Sequence, residues 1–355
     1  MIKNSISKLV VSDDLTDEEA RSSMEEIMSG NLPDSQISSF LTALRMKGET
    51  ISEIASFAEV MRNFSLKINP QVNSPIFDIV GTGGDLIKTF NVSTISAMVV
   101  SGSGITVAKH GNRSFTSKCG SADVLELAGV NINAEPKVVQ TCIEQEGIGF
   151  LFAQKFHPAM KHVASVRREI GLRTVFNILG PITNPAGVTH LLVGVYAPSL
   201  VDLVCNSLKK LGITRAIVVC GIDGIDEVSL LGKTKVAELN DGTITSNILS
   251  PNDFGFEPSN SIEIVGGSPD KNVELMFKIL NNDLSVISSK NMILANSSVA
   301  LLVSGQVTTL DEGIELANKS IVSGQAYSKL KGLVKRSNGD LSKLEILEKK
   351  HGTHH

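Results

Sequence analysis

Apolar residues in the first 64 positions recur at helical spacing, which predicts a set of amphipathic helices. Ile37, Phe40 and Leu44, for example, fall on one face of a single helix. The helix boundaries are marked by two Thr-x-x-Glu capping boxes, a proline and two glycines: Thr16 with Glu19, Thr50 with Glu53, Pro33, Gly30 and Gly48. This region is therefore predicted to form a small all-helical unit.

The pattern changes after residues 69–75 (NPQVNSP), a turn-rich stretch that suits a linker. Short apolar runs then alternate with helical segments, which is typical of a largely parallel α/β sheet. The predicted strands are Phe77–Val80, Ile105–Ala108, Gly149–Phe152, Leu191–Tyr196, Ala216–Cys220 and Val236–Leu239. The predicted helices are Asp123–Leu127, Lys137–Glu146 and Leu200–Leu211, with a helical tail from Ser288 to about Lys335.

These elements predict two domains in the α/β class. The first is a small N-terminal all-helical domain over residues 1–68, followed by the linker 69–75. The second is a large α/β domain over residues 76–345, with a central, largely parallel sheet flanked by helices.

Composition narrows the possible partners. The chain has 355 residues, of which 20% are charged, and a formal net charge of -4, so it has no global attraction for nucleic acid or an anionic membrane. The start lacks the pattern of an export signal, and the charge-free run Thr89–Ala108 carries too many hydroxyl groups for a membrane span. The four cysteines form no CxxC pair, so neither a zinc site nor a disulfide framework is indicated. We expect a cytoplasmic protein.

A glycine-rich segment, Gly81-Thr82-Gly83-Gly84-Asp85, follows the first predicted strand, and a helix is predicted to begin near Asn91. Glycines let backbone N–H groups approach an anion closely, and a helix N-terminus adds unpaired donors and a partial positive charge. The segment has the outline of a phosphate-binding loop, and the same letters also suit an ordinary tight turn. It matches neither a Walker loop nor the dinucleotide fingerprint.

A basic cluster follows the predicted strand Ile105–Ala108. Between Lys109 and Lys118 there are three fixed positive charges and no acid. Such a field suits a diphosphate at the carboxyl edge of the sheet, and a solvated basic loop is the alternative. Ser121 is predicted to cap a helix that begins near Asp123.

Two adjacent acids, Asp226 and Glu227, follow the predicted strand Ala216–Cys220. Carboxylates at a strand end are hard oxygen ligands of the kind that Mg²⁺ shares with a diphosphate. Taken alone, the segment is equally compatible with an acidic surface turn. Beside two anion-binding loops it predicts a magnesium site.

A fourth segment runs from Arg167 to Pro185 and contains the pair Gly180-Pro181. Arginine can hold a carboxylate through two parallel N–H bonds, and a Gly-Pro turn offers a rigid apolar wall for a flat ring. Without their context, the arginines of this segment would be interpreted as charges on a helix surface.

Together and in this order, GTGGD, NVST, KHGNR, GSADVLE, RTVFNILGPITNP and GIDGIDEVS resemble the anthranilate phosphoribosyltransferase family of tryptophan biosynthesis. The resemblance covers most of the chain. It implies a small helical domain, joined by helices from about 155–185, and a large α/β domain with the active site between them. It also implies a homodimer formed through the small domain.

The resemblance further implies roles for individual residues. Phosphoribosyl diphosphate would contact Gly81, Gly83, Gly84, Asp85, Thr89, Asn91, Ser93, Thr94, Lys109 and Ser121. Mg²⁺ would be organised by Ser93, Asp226 and Glu227. Anthranilate would be lined by Gly81, His110, Asn112, His157, Arg167, Gly180 and Pro181, of which His110, Asn112 and Arg167 are the predicted catalytic residues.

The implied reaction is displacement at the anomeric carbon of the ribose by the anthranilate amine, with diphosphate leaving. His110 could help to take the amine proton. A pyrimidine nucleoside phosphorylase is one alternative, but it would not need the acids Asp226 and Glu227 for magnesium. A non-catalytic relative that binds nucleic acid is another, and the negative net charge of the chain opposes it.

Overall fold

The first part of the chain folds into four helices that share one apolar core. The structure is a computed structural model that describes residues 1–84, 87–114 and 119–352. The four helices are α1 (Ile2–Val10), α2 (Asp17–Ser29), α3 (Asp34–Lys47) and α4 (Ile51–Asn63). The capping boxes at Thr16 and Thr50 are both formed, and α2 ends at Gly30 in the left-handed conformation. These predicted boundaries are confirmed.

The rest of the chain forms a seven-stranded sheet with the strand order β3-β2-β1-β4-β5-β6-β7. The strands are β1 (Ile76–Gly81), β2 (Thr106–Gly111), β3 (Ile148–Phe152), β4 (His190–Gly194), β5 (Arg215–Gly221), β6 (Thr234–Asn240) and β7 (Thr243–Leu249). The first five are parallel, whereas β6 and β7 pair antiparallel at one edge. The prediction of an α/β fold with a largely parallel sheet is confirmed.

Further helices follow β1, and several of them pack on the two faces of the sheet. They are α5 (Val92–Gly102), α6 (Ser121–Leu127), α7 (Pro136–Glu146), α8 (Ala153–Phe156), α9 (Lys161–Ile170), α10 (Phe176–Ile182), α11 (Leu200–Lys210), α12 (Pro269–Leu280), α13 (Ile287–Ser304), α14 (Leu310–Val322), α15 (Gln325–Arg336) and α16 (Ser342–His351). Successive residues of β4, such as Leu192 and Val193, enter different apolar clusters because strand side chains alternate between faces. The sheet is therefore buried on both sides.

Helix α13 is the most apolar long element. The segment 284–304 is long and apolar enough to cross a membrane, yet 72% of its apolar 18-residue stretch is buried inside the protein. The helix packs against α5, α14, β4 and β5. Its apolar composition is accounted for by a place in the core.

Helices α9 and α10 connect the two parts of the molecule. Helix α9 packs against α2 and α3, and α10 packs against α4. Phe156, Val163 and Leu179 lie in the same apolar cluster as the N-terminal helices. The residues after β3 therefore extend the helical core.

The strand order places a crevice beside β1. From β1 the chain adds β2 and β3 on one side and then β4 and β5 on the other, so the connections after β1 and β4 leave the sheet on opposite faces. In such sheets the gap outside the carboxyl ends of these two strands is where ligands bind. Gly81 and Gly194 are register partners at those ends.

Three local predictions are corrected by the structure. Strand β2 continues to Gly111, so Lys109 and His110 belong to the strand and not to a loop after it. Helix α6 begins at Ser121 with Gly120 as its N-cap, so Ser121 does not cap it. Gly180 and Pro181 lie inside α10 and do not form a turn.

Glu53 is expected to stabilise the helical unit through its buried carboxylate. The side chain is fully buried, accepts hydrogen bonds from the N–H groups of Leu15 and Thr50, and pairs with Lys47 at 2.9 Å. Glu53→Ala leaves Lys47 without its buried partner and should lower the free energy of unfolding by about 3 kcal/mol. The matched change Glu19→Ala removes the more exposed capping box and should cost about 1 kcal/mol. Equal losses in chemical denaturation would contradict this interpretation.

Candidate active site

The loop that carries Asp226 closes the crevice between β1 and β4. A Cβ added to Gly194 would lie 1.6 Å from the backbone oxygen of Asp226, and one added to Gly81 would lie 2.6 Å from its Oδ2. Because glycine has no Cβ, there is room for the acidic loop at the ends of both strands. The N–H of Gly83 donates to Asp226 Oδ2 at 2.7 Å. The acid therefore lies directly on the glycine-rich loop.

Glu227 and Lys109 meet at the start of α5. The N–H of Ser93, in the first turn of that helix, donates to Glu227 Oε1 at 3.2 Å. It is one of the donors that a helix leaves unpaired at its N-terminus. Lys109 Nζ lies 3.3 Å from Ser93 Oγ and donates to the carbonyl of Ile79 at 2.7 Å. Three separate stretches of chain thus converge on one place.

The residues at this place fit a magnesium ion that shares its ligands with a phosphate. Asp226 and Glu227 are both buried, and they occupy the same N–H groups that an anion would use. Two like charges beside a diphosphate repel it unless a cation lies between them. Mg²⁺ is typically held by one or two carboxylates plus substrate phosphates. Within residues 1–84, 87–114 and 119–352, no group of three or more His, Cys, Asp or Glu could hold a metal.

Lys109 is a buried cation at the centre of the site. It is 2% exposed, and burial lowers the pKa of its ammonium group, while the charges of Asp78 and Glu227 oppose that shift. A desolvated cation interacts with an anion more strongly than one in water. Lys109 is therefore placed to attract a diphosphate.

Arg113, one of the three expected positive charges, is paired with acids of the protein itself. Its guanidinium bonds to Asp123 at 2.8 Å and to both carboxylate oxygens of Glu126 at 2.9 and 3.0 Å, which raises the pKa of Arg113. Both acids lie on α6, which follows the basic stretch from Lys109 to Lys118. Lys118, the third cation, lies outside the described residues.

The other residues predicted for phosphoribosyl diphosphate surround the same loops. Asn91 is the N-cap of α5; its amide donates to the carbonyl of Cys119 at 3.2 Å and accepts from Asn272 at 2.9 Å. Thr94 donates to Ser121 at 2.9 Å, which joins the starts of α5 and α6. Two further residues complete the set: Thr89 forms an isolated bridge with Val265, and Asp85 lies outside the described residues.

His110 and His157 form a buried pair of imidazoles whose ring centroids are 5.0 Å apart. Burial lowers the pKa of His110 well below its usual value, and it lowers the pKa of His157 to about 4. His110 Nδ1 lies 3.2 Å from the carbonyl of Gly180. A carbonyl only accepts, so Nδ1 carries the proton and Nε2 keeps a lone pair. The Nε2 atoms of both rings are buried and have no partner among the described residues.

Asp78, which the sequence analysis did not single out, holds the backbone of His110 in place. Its carboxylate is completely buried, accepts from the N–H of His110 at 3.2 Å and accepts from the amide of Asn184 at 2.8 Å. The same amide donates to the carbonyl of Ala108 at 2.7 Å. Burial raises the pKa of Asp78 to about 6, although Lys109 opposes the shift.

The remaining predicted residues lie at the ends of neighbouring elements. Asn112 follows β2, and its side-chain oxygen accepts from Gln154 at 3.3 Å. The guanidinium carbon of Arg167, on α9, lies 5.4 Å from the centroid of Phe176 at the start of α10. Burial lowers the pKa of Arg167. The contact of these residues with a common ligand stays a prediction.

Other residues that hold the site were also missed. Arg173 donates to the carbonyl of Gly84 and lies 4.1 Å over the ring of Tyr196, so it joins the glycine-rich loop to the segment that follows β4. Asn272 reaches Asn91 from α12, 181 positions away in the sequence. The signal for Asp78 was available, since it is a charged residue inside an apolar strand. No local pattern identifies Asn272.

Two family profiles match the chain along most of its length. One, described as "Glycosyl transferase family, helical bundle domain", matches residues 3–65. The other, described as "Glycosyl transferase family, a/b domain", matches residues 73–327.

Individual proteins give a finer comparison. The anthranilate phosphoribosyltransferase of Alkaliphilus metalliredigens is 46% identical over 338 residues, which are 95% of this chain and 98% of that protein. The crystal structure of the enzyme from Thermus thermophilus has a TM-score of 0.88 at 37% identity, covering 94% of this chain and 99% of that one. The Saccharomyces cerevisiae enzyme, solved with PRPP and Mg, has a TM-score of 0.87 at 29% identity, covering 95% and 98%.

The absence of a side chain at Gly194 is expected to be necessary for the observed position of Asp226. Gly194→Ala would push its Cβ into the backbone of Asp226, so the acidic loop must shift, at a cost of about 1–3 kcal/mol in the free energy of unfolding. Gly232→Ala is the matched control, because no atom lies within 4 Å of its Cβ position. Thermal unfolding and a crystal structure of each variant would check this. An undisplaced Asp226 in Gly194→Ala would contradict it.

Asp78 is expected to make stability depend on pH. Its pKa of about 6 lies above the ordinary 3.8, so its contribution to stability is full below pH 4 and is lost as the pH rises through 6. Between pH 4.5 and 7.5, wild-type protein should lose roughly 2 kcal/mol of stability relative to Asp78→Asn.

Asp202→Asn is the control for that measurement. Hydrogen bonding from Lys235 lowers the pKa of Asp202 below its ordinary 3.8, so its contribution to stability is almost complete at pH 4.5. Between pH 4.5 and 7.5 the stability difference between wild-type protein and this variant should therefore stay nearly constant. Denaturant titrations at several pH values would measure both differences. A fall of similar size relative to both variants would refute the assignment to Asp78.

Proposed function

The chain belongs to the anthranilate phosphoribosyltransferase family of glycosyl transferases, and on this premise we propose how its own residues carry out the family's reaction. The phosphoribosyl group of 5-phosphoribosyl 1-diphosphate is transferred to the amine of anthranilate, and diphosphate is released, as a step of tryptophan biosynthesis. The observation that carries the proposal is the convergence of Gly83, Ser93 and Lys109 on the acids Asp226 and Glu227.

The phosphoribosyl diphosphate is bound at the start of α5. The N–H groups of Gly83 and Ser93 and the ammonium group of Lys109 face the same space, and all three favour an anion. The other residues assigned to this substrate are Gly81, Gly84, Asp85, Thr89, Asn91, Thr94 and Ser121. Charge grows on the diphosphate as its bond to the ribose breaks, so prearranged donors stabilise the transition state more than the bound substrate.

Asp226, Glu227 and the hydroxyl group of Ser93 would hold a magnesium ion at this place. When bound, the ion neutralises negative charge on the leaving diphosphate. The yeast relative solved with PRPP and Mg, and a variant of it solved with Mg bound, support the choice of metal.

Anthranilate lies on the other side of the crevice, at His110. Gly180 and Pro181 form its wall, His157 lies beside the ring of His110, and Asn112 and Arg167 are assigned to its polar groups. Yeast structures in complex with 4-fluoroanthranilate support an aromatic acceptor. Because both imidazoles are neutral, this side of the site suits a flat and mostly apolar ring.

The reaction proceeds by direct displacement. His110 keeps the lone pair of Nε2 free to accept a hydrogen bond from the attacking amine, because Nδ1 is engaged with Gly180. Its low pKa makes it a weak base in the resting site, so it orients the amine before it accepts a proton. Burial raises the pKa of Cys119, the cysteine next to Asn91, to about 11, so this thiol is not a nucleophile at neutral pH.

The protein is further proposed to act as a cytoplasmic homodimer through its N-terminal helices. Val10, Val11 and Met46 are exposed apolar residues on or beside α1 and α3, and exposed apolar groups of this kind favour a contact with a second copy. The negative net charge gives no support for a nucleic-acid partner.

Wild-type protein should consume anthranilate only when phosphoribosyl diphosphate and Mg²⁺ are both present. The loss of anthranilate fluorescence measures the rate, and chromatography identifies the N-phosphoribosyl product. The double variant Asp226→Asn, Glu227→Gln should be at least about a hundredfold slower at every Mg²⁺ concentration, because the metal ligands are gone.

The matched control is Asp241→Asn, Glu257→Gln, which removes the same charge from two acids outside the site. It should behave as wild type. Full activity in the Asp226, Glu227 variant would refute the metal assignment. Cleavage of a pyrimidine nucleoside by phosphate, with no reaction of anthranilate, would refute the function itself.

A further inference from the structure

Arg62 on α4 caps the end of the helix that forms the anthranilate wall. Its Nε and Nη2 atoms both donate to the carbonyl of Ile182, at 3.2 and 2.7 Å. Ile182 is the last residue of α10, where backbone carbonyls have no partner within the helix and the helix dipole is negative. A cation from the N-terminal helices therefore satisfies the C-terminus of a helix in the active site.

Arg62 has no other electrostatic compensation within the described part of the chain. Burial lowers the pKa of Arg62, and no carboxylate among the described residues pairs with it. Arg62 is partly buried, and a partly desolvated cation is unfavourable unless its donors are used, so the two bonds to Ile182 hold the side chain in place. The planar fork of an arginine can make both bonds at once, whereas a lysine offers a point charge.

The other side of α10 is fixed to the sheet. The carbonyl of Gly180 meets Nδ1 of His110 at 3.2 Å, and Asn184 bonds to Asp78 and to the carbonyl of Ala108. The helix is therefore held from the sheet at one face and from α4 at its end. Without Arg62, the end of α10 loses its two hydrogen bonds to α4, and its position depends on the attachments to the sheet and on the remaining packing.

We infer that Arg62 is a positioning residue for the aromatic acceptor. It acts through Ile182 by holding Gly180 and Pro181 at the correct distance from His110. This inference rests on the proposed function, because that assigns the wall to anthranilate. The phosphate-binding residues Gly83, Ser93 and Lys109 have no hydrogen bond to Arg62 or α10 among the described contacts, so the effect of Arg62 is expected on the aromatic substrate and not on the other.

The test is a comparison of Arg62→Ala and Arg62→Gln with wild type. For both variants we expect the KM for anthranilate to rise about tenfold or more, with a change of less than about twofold in the KM for phosphoribosyl diphosphate, because displacement of a positioning element is felt locally. Arg62→Lys keeps the charge without the fork and should retain a raised KM. Arg21→Ala is the matched control, since Arg21 forms an exposed pair with Glu59 on the same unit.

The outcomes are distinct. An unchanged KM for anthranilate in the Arg62→Gln protein overturns the inference. A uniform fall in kcat with both KM values unchanged, accompanied by a lower Tm, also overturns it, because that is a general loss of stability. If Arg62→Ala does not fold, Arg62→Gln and Arg62→Lys still decide. A wild-type protein that does not use anthranilate refutes the proposed function, independently of any variant.

Discussion

The candidate active site is organised around two buried carboxylates that occupy backbone donors of the glycine-rich loop and of the first turn of α5. Asp226 and Glu227 accept from Gly83 and Ser93, which are the donors that a diphosphate would need. An anion cannot approach this arrangement without a cation between the two sets of negative charge. The contact is possible because Gly81 and Gly194 leave no side chains at the ends of β1 and β4. Magnesium dependence is therefore the expected consequence of how the acidic loop packs.

The two halves of the crevice have opposite electrostatic character. Near Lys109 the protein concentrates charged groups and backbone donors, whereas near His110 it presents neutral imidazoles and helix α10. Asp78 lies beneath both halves, since it faces the charge of Lys109 and bonds to the backbone of His110. A charged substrate and an aromatic one can thus be held a short distance apart by different interactions.

Most of the fold follows from local patterns in the sequence. The capping boxes at Thr16 and Thr50 and the apolar runs identify many of the helices and six of the strands, because these signals are short-range. Helix α12 and the short helices α8 to α10 were not predicted from these local signals. Strand β7 was missed because its residues are mostly exposed, although Asp241-Gly242, both with positive φ, marks the hairpin turn before it. The pairing of Arg113 with Glu126 and of Asn91 with Asn272 depends on packing between elements, which spacing along the chain does not reveal.

The placement of α10 shows how the two parts of the molecule can act on one reaction. The helix is too short to be stable alone, so its position depends on what holds it. Asn184 ties the following segment to the sheet, while Arg62 ties the end of the helix to α4. A displacement of the N-terminal helices relative to the sheet must therefore stretch one of these attachments. The glycine-rich loop and the start of α5 have no such attachment to α4 among the described contacts. A displacement of the N-terminal helices is therefore expected to act on the acceptor side of the crevice. The position of the proposed aromatic acceptor is in this way coupled to the packing of the helical unit.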